Sequence, residues 1–215
     1  MVGLSVCVWL LIGREFMGSN VRCAEIRRQT AETDIQLLLT LEGQGEGRIE
    51  TGIPFMDHML TLFARHSGSD LEILAKGDLE VDFHHTVEDL GICLGRALSQ
   101  ALGELGGLAR YGEALIPMDE SLCSAVVDIS RRPFLVFNLA LRTPKVGELD
   151  SELIEEFFRA LTVHGGLTLH LNLHYGKNQH HIFESAFKAV AHALRRAWTP
   201  RTELAGQVLS SKGVL

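Results

Sequence analysis

Apolar positions fall into two rhythms along the chain, and the second half repeats the order set by the first. Thr33 to Thr40 is apolar with β-branched residues and runs into a turn carrying Gly43, Gly45 and Gly47, so it reads as a strand. Gly52-Ile53-Pro54 leads into Phe55–Arg65, whose apolar spacing predicts a helix with proline near its start. Asp70–Ala75 and Leu79–Phe83 are predicted as strands around Lys76-Gly77-Asp78, and Val87–Leu105 as a long helix. Ser121–Ile129 and Phe134–Leu141 then read as strands, Glu152–Val163 as a helix, Thr168–Tyr175 as a strand, and Ile182–Trp198 as a helix stopped near Pro200. The expected fold class is α+β, two similar half-domains from a duplicated βαβα-type unit, each a sheet with helices packed on one face. The half-repeats are placed at about residues 22–106 and 118–200, with a tail at 201–215.

The repeat is visible in residues as well as in rhythm. A shift of 96 lays His84 on His180, His85 on His181 and Glu88 on Glu184, and also Ala97 on Ala193 and Leu98 on Leu194. On a helix, residues i and i+4 nearly eclipse while neighbours stand about 100° apart. His84 shares a face with Glu88, and His180 with Glu184, provided each helix already runs through its first histidine. His85 and His181 point elsewhere, so each HHxxE motif is expected to serve two metal sites. Imidazole plus carboxylate suits Mn²⁺, Fe²⁺, Co²⁺ or Zn²⁺ better than Ca²⁺. A single histidine pair is weak evidence, because most helical histidines are solvated or hydrogen-bonded. Two copies at the same place in two halves are much harder to dismiss. The metalloprotease pattern HExxH is absent.

Composition narrows the class. The chain has 215 residues, 46% hydrophobic, enough for one large domain or two fused halves with a substantial core. The formal net charge of −7 argues against a general nucleic-acid or anionic-membrane binder. Cys7, Cys23, Cys93 and Cys123 lack paired spacing, so neither a zinc knuckle nor a disulfide framework is expected, and a reducing, cytoplasmic setting fits. Val2 to Ile12 is nearly all apolar but lacks a preceding basic residue and a small-residue cleavage site, and is too short to span a membrane. Residues 1–16 are read as a non-essential N-terminal extension ahead of a domain at 17–215.

Further side chains could complete a site. His58 follows Asp57 at the start of the first helix, and His170 lies in a predicted strand; both are candidate ligands. His66, His164, His174 and His192 have no repeated setting and read as ordinary surface or hydrogen-bonding residues. Arg110, Arg132 and the terminal Ser210-Ser211-Lys212-Gly213 combine cations, hydroxyls and turn amides, the groups that bind phosphate. Lys188 stands one turn after Glu184 on the metal face, where the first copy has Ile92. The metal scaffold is therefore expected to be pseudo-symmetric and substrate binding not.

Several of these segments, in order, resemble the imidazoleglycerol-phosphate dehydratase family: Arg28–Glu32 with Ile35, Thr51–Leu60, His84–Asp89, Pro117–Leu122, Gly176–Glu184, Phe187-Lys188-Ala189 and Ser210–Leu215. The similarity runs from about Arg22 to the C-terminus, and Arg131 stands where that family usually has glycine. The resemblance implies a carbon–oxygen lyase of histidine biosynthesis that removes water from imidazole glycerol phosphate to give imidazole acetol phosphate. It implies two Mn²⁺ per active site, with ligands His58, His84, His85, Glu88, His170, His180, His181 and Glu184. It implies substrate contacts from Glu32, Arg110, Arg132, Lys188, Ser210, Ser211 and Lys212. It also implies a homo-oligomer, a 24-subunit shell built from trimers with sites shared between subunits. In the expected chemistry the ring is held as a metal-bound imidazolate and hydroxide leaves to give a diazafulvene-like intermediate. Among Glu32, Glu88 and Glu184 as proton-transfer groups, a metal-bound carboxylate is the poorer base, which favours Glu32. Two alternatives use the same histidines: a two-metal phosphoester hydrolase, which would release phosphate, and a non-catalytic metal-binding shell, which would show no turnover.

Overall fold

A computed structural model describes residues 21–204 and 207–213. The expectation for residues 1–16 lies outside these. The first half comprises β1 (Cys23–Gln29), β2 (Thr33–Thr40), β3 (Gly47–Glu50), helix α1 (Pro54–Ser67), β4 (Asp70–Gly77) and helix α2 (His84–Leu102). The second comprises β5 (Tyr111–Met118), β6 (Ser121–Ile129), β7 (Phe134–Asn138), a small hairpin of β8 (Lys145–Val146) and β9 (Leu149–Asp150), helix α3 (Leu153–Gly165), β10 (Leu167–Tyr175) and helix α4 (Gln179–Trp198). The sheets are ordered β1-β2-β4-β3 and β5-β6-β10-β7. In each, the second strand pairs antiparallel with the last strand of its half, β4 or β10, which pairs parallel with β3 or β7. The α+β duplication therefore holds, and the repeating unit is fuller than βαβα: it is βββαβα, with the β8–β9 hairpin added in the second half.

Alternation explains how the layers stack. Along β2, Thr33, Ile35, Leu37 and Leu39 are buried while Asp34 and Gln36 are exposed, and β6 and β10 follow the same rule. The buried faces carry the helices: α2 lies on β1 and β2, and α4 on β5 and β6. The helices then meet across the halves, α1 against α4 and α2 against α3. The result is sheet, helix, helix, sheet, with one apolar core running through both halves. Glycine sets the closest crossing. A Cβ on Gly91 would lie 2.5 Å from the Phe157 carbonyl oxygen, and one on Gly95 2.7 Å from that of Leu161. Both helices α1 and α3 end on left-handed glycines, Gly68 and Gly166, whose amides close the last turn.

Three sequence expectations need correction. Leu79–Phe83 alternates like a strand but forms turns, because β4 ends at Gly77 and no partner edge remains beside it. The second half opens at Tyr111 rather than near 118, because β5 is an edge strand; Pro117, which argues against an interior strand, is tolerated there. Helix α2 begins at His84 rather than Val87. The Asp82 carboxylate accepts the His84 amide at 2.7 Å, as Asn178 accepts that of His180 at 3.0 Å. Asp82 and Asn178 are related by the same shift of 96 as the histidines they precede.

Candidate metal centre

Because both helices start at their histidine pairs, each motif projects from a first helical turn. In the second copy, His180 Nε2 lies 2.9 Å from Glu184 Oε1, one turn along α4. His58, brought from α1 by the α1–α4 contact, places its Nε2 2.9 Å from the same oxygen. Two imidazole nitrogens and one carboxylate oxygen thus lie within 4.8 Å of one another. Lys188 Nζ sits 2.5 Å from the other oxygen, Glu184 Oε2. Glu184 is buried, which alone would raise its pKa, but hydrogen bonds from Lys188, His58 and His180 outweigh this and bring it down to about 2. The carboxylate is therefore held ionised.

His181 faces away from this cluster, its ring 6.2 Å from that of His180 and turned by 82°. His84 and His85 repeat that geometry at 6.2 Å and 83°. Helical phase thus separates the neighbours as the pattern predicts. His84 Nε2 stands 3.9 Å from Glu88 Oε2, both side chains well exposed. His58 has no histidine counterpart in the second half: the shift of 98 that carries Gly68 to Gly166 carries it to Glu156 on α3, the helix packed on α2. Among the described residues, no hydrogen bond, ion pair or ring contact joins the two motifs.

Both outward histidines are gripped at Nδ1. Asp78 lies 3.0 Å from His85 Nδ1, and Glu120 2.7 Å from His181 Nδ1. These hydrogen bonds raise both imidazole pKa values. Glu120 also accepts the amides of Asn178 at 2.7 Å and Lys177 at 3.1 Å, and the three bonds hold its carboxyl well below the usual carboxylate range. Glu32, in the β1–β2 turn, stands 3.9 Å from His85 on the opposite, Nε2 side of the ring. Sequence reasoning missed Asp78, Glu120, the cap Asn178 and Asp82, which accepts the His84 amide. The one legible signal was an acidic or amide residue two places before each histidine pair.

The residues expected to hold phosphate gather elsewhere. Arg110 is buried, with Nε 2.7 Å and Nη2 3.1 Å from the two oxygens of Asp128, and Nη1 on the Leu209 carbonyl. Arg132 approaches Asp128 at 3.5 Å and remains mostly exposed. Gly107 donates its amide to Gln207, so the chain carrying Ser210, Ser211 and Lys212 lies beside Arg110. Arg131 instead donates to the Gly103 carbonyl at 2.7 Å, so of that pair Arg132 is the one directed at Asp128. His170 is not part of the His58–His180–Glu184 cluster within this chain. Leu169 and Leu171 point into the core, so the period of two turns His170 onto the exposed outer face of β10, level with Val126.

Comparison with known proteins finds similarity along most of the chain. A family model described as imidazoleglycerol-phosphate dehydratase matches residues 51–194. The imidazoleglycerol-phosphate dehydratase of Clostridium kluyveri is 53% identical over 195 residues, 91% of this chain and 100% of the relative. That of Gluconobacter oxydans is 54% identical over 194 residues, 90% of this chain and 98% of the relative. Among solved structures, the Staphylococcus aureus enzyme superposes with a TM-score of 0.76 at 43% identity, covering 83% of this chain and 99% of that one. The Pyrococcus furiosus enzyme, in complex with (S)-C348, gives 0.77 at 38% identity, covering 88% and 100%.

Proposed function

The chain belongs to the imidazoleglycerol-phosphate dehydratase family, and from that premise we propose that it uses the paired HHxxE motifs to dehydrate imidazole glycerol phosphate in histidine biosynthesis. The reaction is that of a carbon–oxygen lyase yielding imidazole acetol phosphate. The observation that carries the site assignment is the convergence of His58, His180 and Glu184 from two helices onto one point. Two borderline nitrogens and one ionised oxygen fit a divalent ion such as Mn²⁺. His84, His85, Glu88 and His181 would supply the remaining ligands, for two ions per active site. When bound, the ions would supply Lewis acidity and a template for the ring.

The chain's own residues do the rest. The proton to be lost lies on a carbon without an adjacent carbonyl, so a positioned base is needed once the neighbouring hydroxyl departs. Glu32 stands on the Nε2 side of His85 and makes no bond to Nδ1, which suits it to take that proton. Glu184 is bonded to His58, His180 and Lys188, and Glu88, as a metal ligand, would be the poorer base. Lys188, Arg132, Arg110 and the Ser210–Lys212 segment would hold the phosphate and fix the reacting carbons.

Geometry supports sharing of the site between subunits. Glu120 and His181 lie at the start of β6, while Asp128 with Arg110 and Arg132 lies at its end. Seven residue steps along β6 separate Ser121 from Asp128, a span of about 23 Å. One small substrate cannot bridge it, so the metal residues of one subunit, with Lys188 beside them, would work with Arg110, Arg132 and the Ser210–Lys212 segment of another. The reading is thus of a homo-oligomer, a 24-subunit shell of trimers, acting in the cytoplasm. Among the described residues no helix is long and apolar enough to cross a membrane. The test is dehydration of imidazole glycerol phosphate by enzyme stripped of metal and reloaded with Mn²⁺. Wild type should recover activity and His181→Ala should not. Retention of both Mn²⁺ occupancy and full turnover by His181→Ala would refute the assignment.

A further inference from the structure

The two halves grip their outward histidines with carboxylates that are not equivalent, and strand register shows the difference. Thr40 pairs with Asp70 and Asp128 with Thr168. Asp70 and Thr168 each lie two residues beyond a left-handed glycine cap, Gly68 or Gly166. Thr40 therefore corresponds to Asp128, and counting back along β2 and β6 makes Glu32 the counterpart of Glu120. Glu120 accepts from His181 Nδ1 at 2.7 Å, whereas Glu32 stays on the Nε2 side of His85 at 3.9 Å.

In the first half Asp78 has taken the Nδ1 position, 3.0 Å from His85. It follows Gly77, which lies across from Thr33. In the second half Tyr175 pairs with Leu122, so Gly176 lies across from Ser121 and the next residue is Lys177. The place of Asp78 is thus filled by a cation in the copy where the hairpin carboxylate does the gripping.

We propose that Asp78 and Glu120 are positioning residues that hold His85 and His181 as Nδ1–H tautomers, aiming each Nε2 at metal, and that Asp78 thereby releases Glu32 to work on substrate. An ionised carboxylate only accepts hydrogen bonds, so the Nδ1 facing it must carry the proton, and in the neutral ring that a metal binds Nε2 carries the lone pair. Such carboxylate–histidine pairs orient a metal ligand and raise its basicity. The inference rests on the reading that His85 and His181 are ligands.

The experiment is Mn²⁺ titration of metal-free protein, following the free-ion signal by electron paramagnetic resonance, with kcat and KM measured alongside. Asp78→Ala and Glu120→Ala should each weaken Mn²⁺ binding about 10- to 100-fold. Asp78→Glu and Glu120→Asp, which keep the acceptor, should recover most of it. If Asp78→Ala does not fold, as judged by circular dichroism, the isosteric Asp78→Asn is titrated instead. Its amide can donate to Nδ1 and select the wrong tautomer, so the same loss is expected. Wild-type affinity in the Asp78 variant, with affinity lost in His85→Ala, would overturn the positioning role alone. Wild-type affinity in His85→Ala would overturn the metal reading beneath it.

Discussion

At the scale of single residues, the proposed function assigns some groups to metal and others to substrate, and it puts Glu32 with the second. Its carboxylate shares a histidine with Asp78 but faces the other nitrogen. Glu32→Gln is expected to lower kcat about 10²- to 10⁴-fold, the usual contribution of a positioned proton-transfer group, while Mn²⁺ affinity measured by calorimetry stays that of wild type. A parallel fall in Mn²⁺ affinity would instead make Glu32 a ligand. His170 lies outside the His58–His180–Glu184 cluster of its own chain. The alternation of Leu167, Leu169 and Leu171 already directs it outward.

At the scale of elements, helix contacts decide both stability and its pH dependence. The α2–α3 crossing depends on Gly91 and Gly95. Gly95→Ala improves intrinsic helix propensity by about 1 kcal/mol, but the added methyl meets the Leu161 carbonyl at 2.7 Å and the Gly165 amide nitrogen at 2.8 Å. Overpacking against backbone costs about 1–3 kcal/mol or more, so a net fall in denaturant midpoint is expected. The α1–α4 contact carries a polar seam, with His66 Nδ1 3.2 Å from His192 Nε2. Burial lowers both pKa values from 6.5, His192 aided by Arg196 and Arg195, His66 by His192, Lys188 and Arg65. The unfolded chain therefore takes up protons at a higher pH than the folded one. Stability should be fullest above 6.5 and fall as pH drops below it. In chemical denaturation between neutral and mildly acidic pH, His192→Gln should flatten that decline; an unchanged slope would exclude the pair as its source.

At the scale of the whole molecule, the Glu120–His181 pair and the Asp128–Arg110–Arg132 cluster, proposed to serve metal and phosphate, sit at opposite ends of one strand. Mixing two inactive proteins tests the consequence. His181→Ala lacks the metal end and Arg132→Ala the phosphate end, and co-assembled subunits should regain dehydratase activity through intact ends meeting at an interface. No recovery in verified mixed assemblies would place the site within one chain. The outer face of the second sheet offers a contact surface, since Leu115, Val126 and Phe134 are exposed there at 56%, 45% and 62%. Val126→Asp should shift the protein to smaller species in analytical ultracentrifugation.

The sequence by itself determined the parts that depend on local period and repetition. The pattern of β2, β6 and the four helices, the duplication, and the divergence of neighbouring histidines all follow from spacing along one element. Edge strands β1, β3 and β5 were not legible, because they are short, charged or proline-bearing and are strands only through a partner. The same holds for the site. His180 and Glu184 are joined by one helical turn, but His58 reaches them only because α1 packs on α4. Asp78 and Glu120 find Nδ1 only because turns from separate strands close over the helix starts. Tertiary structure alone decided those contacts, since they join positions whose separation along the chain carries no periodic signal.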